Sequence, residues 1–233
     1  MSVVGAQTRD FAHQNVALVV HEGASVEGVP RARLSGLYAR YFKRLLDVAL
    51  GLPLFVALLP VMLAVACVVR LTLGKGVLLR QRRVGLGGRP FALLKFRTML
   101  PERRLREAGW DGPDRRTCHK SDNDPRHTSV GRQLRRLSLD ELPQLWNVLR
   151  GDMSLVGPRP ELLSVVCKYE SWQHCRHVVR PGITGLWQVS ARSDGLACKG
   201  VHIDLDYIDR LSFAHDCGIL LRTIPVTFGG TGR

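Results

Sequence analysis

Val48-Ala49-Leu50-Gly51-Leu52-Pro53-Leu54-Phe55-Val56-Ala57-Leu58-Leu59-Pro60-Val61-Met62-Leu63-Ala64-Val65-Ala66-Cys67-Val68-Val69 runs without one charged side chain. As a straight helix these residues would measure roughly 33 Å, enough to cross the hydrocarbon core of a bilayer. Length alone therefore reads as a spanning anchor. Two features oppose that reading. Pro53 and Pro60 each remove a backbone donor and favour a kink. Both flanks are also basic: Arg31, Arg33, Arg40, Lys43 and Arg44 precede the run, and Arg70, Lys75, Arg80, Arg82, Arg83 and Arg89 follow it. Cationic flanks are retained in the cytoplasm, which places both ends on the same side. The preferred reading is a helix-break-helix over 41–74, broken at Pro60, that enters one leaflet and returns.

Outward from that run the organisation is simple. Residues 1–40 mix Gly, Gln, His and Glu and read as a poorly ordered N-terminal leader; its one apolar run, Val16 to Val20, is too short for a signal-peptide core. Residues 75–233 read as a cytosolic catalytic domain. Within it, glycines around Gly74–Gly76 and Gly85–Gly88 set off short apolar runs, Val77–Leu79 and Phe91–Leu94, that predict a hairpin. Pro101 to Arg126 is polar and turn-rich and predicts a loop. Helices are predicted from Thr128 or Ser129, again after Ser138, and over Glu161–Val179, closed by Pro181-Gly182. The expected class is α+β, mainly helical, with interfacial amphipathic helices and a small β element around a compact core.

Composition limits the partners. Lys and Arg number 34 against 20 Asp and Glu, a net charge of +14, which calls for phosphates, nucleic acid or anionic lipid. The six cysteines are widely separated and read as reduced. Cys167, His174, Cys175 and His177 match no common zinc spacing. Neither a P-loop nor a G-x-G-x-x-G is present.

The chemistry concentrates in Ser138-Leu139-Asp140-Glu141-Leu142-Pro143-Gln144-Leu145. Ser138 and Glu141 are spaced as a capping box, with Asp140 in the first turn, so a purely structural role is one reading. The functional reading starts from the same place. A carboxylate at a helix N-terminus is held ionised, and an ionised Asp140 can attack phosphorus. Glu141, with Asp140, can then share a divalent metal with a substrate diphosphate, and Mg2+ suits such hard oxygen ligands. Phosphate chemistry needs fixed cations as well. The candidates are Lys95, Arg97, Arg135 with its neighbour Arg136, and Arg159, whose two flanking prolines restrict its directions.

From Lys43 to about Pro225 the chain resembles the bacterial sugar transferases, the polyprenyl-phosphate hexose-1-phosphate transferases or monotopic phosphoglycosyl transferases. The resemblance lies in Lys43-Arg44-Leu45-Leu46-Asp47, Arg80-Gln81, Arg83-Val84-Gly85, Lys95-Phe96-Arg97-Thr98-Met99, Asp124-Pro125-Arg126, Ser138 to Leu145, Gly151 to Pro160, and Arg180 to Val189. It implies that Asp140 attacks the sugar-bearing phosphorus of a UDP-sugar donor and releases UMP. Polyprenyl phosphate, the acceptor, then takes the phosphosugar. The resemblance further implies Mg2+ held by Glu141, the re-entrant helix, the bacterial inner membrane with the catalytic domain on its cytoplasmic face, and the small single-domain form. Membrane lipid and downstream glycosyltransferases are the expected partners, and nucleic acid is not. Leu59 stands where the family often has a Ser before the helix-breaking Pro. A noncatalytic basic protein of the membrane surface or of nucleic acid is the reading from another class. A donor with an N-acetylated amino sugar is the alternative within the same chemistry.

Overall fold

The structure, a computed structural model, describes residues 36–100, 126–190 and 197–228. Most of the leader, the loop expected over 101–125 and the stretch around Ala191 lie outside the described residues.

A π-type turn at Tyr38–Phe42 leads into α1, Lys43–Leu73, a helix of 31 residues with Pro53 and Pro60 inside it. The expected helix-break-helix is therefore not seen as two separate helices. The φ that proline imposes is itself helical, so the chain continues at the cost of one amide donor per proline. Lys43, Asp47, Gly51, Val65, Val69 and Leu73 of α1 are buried and Phe55, Leu58 and Met62 between them are half-buried, with Arg44, Leu46, Val48 and Ala66 half-buried beside this line. The line's spacing of three and four places it on one stripe along the whole helix. Much of the rest is apolar and exposed, including Leu52, Leu54, Val56, Val61, Leu63 and Leu71.

The same domain grips both ends of that stripe. At the start, Lys43 Nζ donates to Asp216 Oδ2 at 2.6 Å and to the Val156 carbonyl at 2.9 Å. Asp47 Oδ1 accepts from Ser154 Oγ and from the Leu155 amide, each at 2.9 Å. Arg44 donates to the carbonyls of Val148 and Leu149. At the far end Val65, Val69 and Leu73 pack with Phe96 and Leu134. There Arg97 Nη2 donates to the carbonyls of Leu73 at 2.8 Å and Gly74 at 3.0 Å, satisfying acceptors that a helix C-terminus leaves open.

The predicted hairpin forms as β1, Leu78–Val84, antiparallel to β2, Pro90–Phe96, with Leu78 opposite Phe96 and Val84 opposite Pro90. The turn between them needs positive φ at Gly87 (61°) and Gly88 (72°), which glycine adopts without a steric penalty. Next come α2, Ser129–Arg136, starting where the sequence suggests and with Thr128 Oγ1 capping the Gly131 amide, and a 3-10 turn at Leu139–Glu141. Pro143 has no amide to donate, so α3 starts only at Gln144 and ends at Arg150. Asn147 of α3 pins β2 by accepting from the Leu94 amide and donating to the Ala92 carbonyl.

A second, parallel pair joins β3, Ser154–Val156, to β4, Gly182–Thr184. The helix predicted over Glu161–Val179 is instead two pieces: α4, Leu163–Val166, and a 3-10 segment at Ser171–Val178. Extended backbone at Glu170 and its capping box with Gln173 start the second piece afresh. The chain finishes with α5, Leu186–Ser190, α6, Ala197–Asp209, and α7, Phe213–Phe228. Tyr207, Ile208 and Ile219 from α6 and α7 close the larger core over Val148, Met153 and Val156. The class is α+β and mainly helical, as the sequence led one to expect.

Asp216 is 1% exposed and also accepts from Tyr38 and Tyr207. Replacing its cation, Lys43→Met, leaves a buried carboxylate without an ionic partner and should cost about 3 kcal/mol. Thermal unfolding in detergent should show a fall of roughly 6–12 °C, partly restored by adding Asp216→Asn.

Candidate active site

Asp140 and Glu141 stand on the 3-10 turn between α2 and α3. The capping reading does not hold there: Ser138 lies in the left-handed region (φ 56°), its side chain caps nothing, and the turn closes through the Glu141 amide donating to the Ser138 carbonyl at 3.2 Å. The two carboxylates are therefore not spent on helix termini. Asp140 is 8% exposed and Glu141 is half-buried.

Three of the five cations singled out by sequence converge on this turn. β2 presents Lys95, whose Nζ lies 2.7 Å from Glu141 Oε1. The loop after β3 presents Arg159, whose Nη2 lies 3.4 Å from the same oxygen. Arg135 of α2 donates to Thr98 Oγ1 at 3.0 Å, and its charge acts on Asp140. Arg97, two residues beyond Lys95, is turned instead to the carbonyls that end α1, while Arg136 is exposed. Sequence reasoning missed Arg83 and Arg176, whose guanidinium groups donate to the Pro160 and Arg159 carbonyls. Arg83 falls inside a quoted motif, but no spacing rule points to Arg176.

The neighbouring carboxylates have opposite environments. Burial is the largest influence on Asp140 and raises its carboxyl to about 6, with Glu141 adding to the rise and Lys95, Arg135 and Arg159 opposing it. Burial also acts to raise Glu141, but the charges of Arg159 and Lys95 and their hydrogen bonds outweigh it and hold that carboxyl near 2. The expectation that a helix N-terminus ionises Asp140 is thus corrected: desolvation dominates there, and nearby cations limit the rise. Two titratable neighbours pushed apart in this way are suited to different roles.

Among the described residues no hydrogen bond reaches the carboxylate of Asp140, and Glu141 uses only Oε1. The remaining oxygens form a hard donor set of the kind Mg2+ takes, usually one or two carboxylates completed by water and phosphate. Among the described residues no group of three or more His, Cys, Asp and Glu gathers as a metal cage. His174 and His177 pack against Tyr169 and each other, and burial pushes His177 down to about 3, so it is neutral.

A buried and a half-buried carboxylate beside fixed cations make a site suited to phosphate chemistry, on a domain that holds one helix long and apolar enough to cross a membrane. The family model for bacterial sugar transferases matches residues 38–230, and the chain belongs to that family. It is 41% identical over 189 residues to the exopolysaccharide production protein ExoY of Sinorhizobium fredii, covering 78% of this chain and 84% of that one. It is 44% identical over 191 residues to the UDP-glucose:undecaprenyl-phosphate glucose-1-phosphate transferase of Caulobacter vibrioides, covering 78% and 68%. It is 37% identical over 200 residues to the undecaprenyl-phosphate galactose phosphotransferase of Salmonella typhimurium, covering 83% of this chain but 42% of that longer protein.

The raised carboxyl has a sign that can be measured. Unfolded Asp140 ionises near 3.8 and folded Asp140 near 6, so the fold loses stability as pH rises between them and stays penalised above. Asp140→Asn removes the penalty. At pH 7.5 the variant should be more stable than the parent, by on the order of 2 kcal/mol, with the difference gone below about pH 4. Denaturant unfolding across that range checks it; a gain independent of pH would contradict the assignment.

Proposed function

We propose that the chain transfers a hexose-1-phosphate from a UDP-sugar to undecaprenyl phosphate, giving the undecaprenyl diphosphate sugar and UMP. This would be the priming step of exopolysaccharide, capsule or O-antigen synthesis. The observation that carries the proposal is Asp140: buried, free of hydrogen-bond donors among the described residues, and ringed by Lys95, Arg135 and Arg159. A carboxyl poised near 6 is mostly ionised at neutral pH yet more basic than an ordinary aspartate, which favours nucleophilic attack.

In the first half-reaction a carboxylate oxygen of Asp140 attacks the phosphorus bonded to the sugar. The bond from that phosphorus to the oxygen bridging the two phosphates breaks, and UMP departs with the electron pair. In the second, an oxygen of the polyprenyl phosphate attacks the same phosphorus, and the Asp140 carboxylate is released unchanged. Lys95 and Arg159, which both pair with Glu141, would supply two cations to a diphosphate at Asp140, and the charge of Arg135 also acts on Asp140. Glu141 and Asp140 would hold Mg2+, which when bound neutralises phosphate charge. Two of the relatives named above are designated for glucose and galactose, which favours a plain hexose over an amino sugar.

The re-entrant reading of α1 is part of the proposal. A straight helix of 31 residues would be roughly 46 Å long, and a spanning helix would carry one end about 30 Å away through the hydrocarbon. Support comes from the tethers: Lys43 and Asp47 at one end and Leu73 and Gly74 at the other are bonded to one domain. Both ends then belong on the cytoplasmic face of the inner membrane, with the exposed apolar side of α1 in lipid.

Enzyme incubated with UDP-sugar alone should gain the mass of a hexose phosphate at Asp140, and Asp140→Asn should show no adduct and lose UMP release by at least about a thousandfold. Normal turnover by that variant rules out the mechanism. For topology, Arg40→Cys and Lys75→Cys, each in a background lacking the six native cysteines, should both resist an impermeant maleimide in intact spheroplasts and react once the cells are opened. Labelling of one site from outside would mean a spanning helix.

A further inference from the structure

Arg159 reaches Glu141 from a loop of Pro158, Arg159, Pro160 and Glu161 that belongs to no helix or strand, yet its backbone is held from both sides. Arg176, of the 3-10 segment Ser171–Val178, donates from Nη2 to the Arg159 carbonyl at 2.7 Å. Arg83 of β1 donates from Nη1 to the next carbonyl, that of Pro160, at 2.9 Å. We infer that Arg176 and Arg83 are positioning residues that aim Arg159 at the reacting phosphate by clamping the carbonyls of its loop.

The clamp is built and charge-balanced. Arg176 is 4% exposed, and its Nη2 pairs with Asp204 Oδ2 of α6 at 2.6 Å while its Nη1 donates to the Tyr169 hydroxyl at 2.6 Å. Arg83 is oriented by two hydrogen bonds to Gln81 Oε1, at 2.8 and 3.2 Å. Glu161 lies between the two guanidinium groups, 3.9 Å from Arg176 and 4.0 Å from Arg83, so one carboxylate offsets both. The Glu161 carbonyl in turn accepts from the Val84 amide at 3.1 Å, tying the loop to the end of β1. Proline on each side of Arg159 removes torsional freedom but supplies no donor at those positions, so the loop's hold on the rest of the fold falls to its carbonyls. A charged, forked donor makes such bonds stronger and more directional than a neutral one. The Arg159 side chain, a third exposed, is left for the site.

The inference rests on the proposed role of Arg159, and a double-mutant cycle separates the two. Single-turnover UMP release from donor alone is measured for Arg159→Gln, Arg176→Gln and the double variant, with thermal unfolding beside it. Arg159→Gln should slow release roughly a hundredfold, the scale of losing one fixed charge donor. Arg176→Gln should slow it at least tenfold in the parent but less than threefold in the Arg159→Gln background, while lowering thermal stability equally in both. A role in stability alone would not produce that rate coupling. Arg176→Lys, which keeps the charge beside Asp204 but loses the fork, should recover stability more than rate. Should Arg176→Gln fail to fold, Tyr169→Phe, which removes one hydrogen bond from Arg176, is run through the same cycle. Rate losses that multiply independently of Arg159 overturn the clamp and leave the role of Arg159 standing. Wild-type release by Arg159→Gln overturns both.

Discussion

Two carboxylates on adjacent residues cannot both be drawn out of water and stay ionised unless cations are fixed beside them, and the surroundings of Asp140 and Glu141 are arranged around that constraint. Glu141 takes direct ion pairs from Lys95 and Arg159; Asp140 receives their charge only through space and keeps a carboxyl near 6. Three separate elements are needed to deliver the cations: β2 for Lys95, α2 for Arg135 and the loop after β3 for Arg159. Each is held by bonds that serve placement. Asn147 ties β2 to α3, Thr98 receives Arg135, and two buried arginines hold the backbone around Arg159.

The second constraint comes from α1. An apolar helix with one protein-facing side and an exposed apolar remainder marks a surface that lipid or a partner covers. Charge pairing fixes where it lies. Lys43, Asp47 and Asp216 bind the start of α1 to β3 and α7, and the carbonyl of Val156 that receives Lys43 also receives Tyr207. Val156 is followed by Gly157, Pro158 and Arg159, so the strand that holds the start of α1 leads straight into the loop carrying Arg159. Gly157 packs so closely on the backbone of Arg180 and Gly182 that a side chain there would displace β4. The start of α1 and the loop of Arg159 are therefore held by one short strand.

Much of this was legible in the residues. The charge-free run, its basic flanks, the hairpin with its glycine turn, the helix start at Thr128 or Ser129 and the residues Asp140, Glu141, Lys95, Arg135 and Arg159 all follow from local pattern or motif, because periodicity, turn chemistry and residue type are local properties. Three further points were not legible, two because a distant partner decides them and one because a local cap does. Arg97 was grouped with Lys95 by proximity in sequence, but the end of α1 lies beside it and takes its guanidinium. Ser138 and Glu141 had capping spacing, but Lys95 and Arg159 claim the Glu141 side chain. The long helix over Glu161–Val179 was interrupted because Glu170 and Gln173 cap each other and restart the chain.

What the sequence determined by itself is the chemistry at hand: an apolar helix, a pair of acidic side chains, an excess of cations and the family to which they belong. What only the tertiary structure decided is how those charges are shared. Protonation depends on how much water each group loses and on which cations lie within a few ångströms, and those distances arise from elements 18 to 46 residues away along the chain. That is why Asp140 and Glu141, adjacent and nearly identical in type, differ so widely in acidity, and why Arg176, unremarkable in sequence, holds the carbonyl of Arg159.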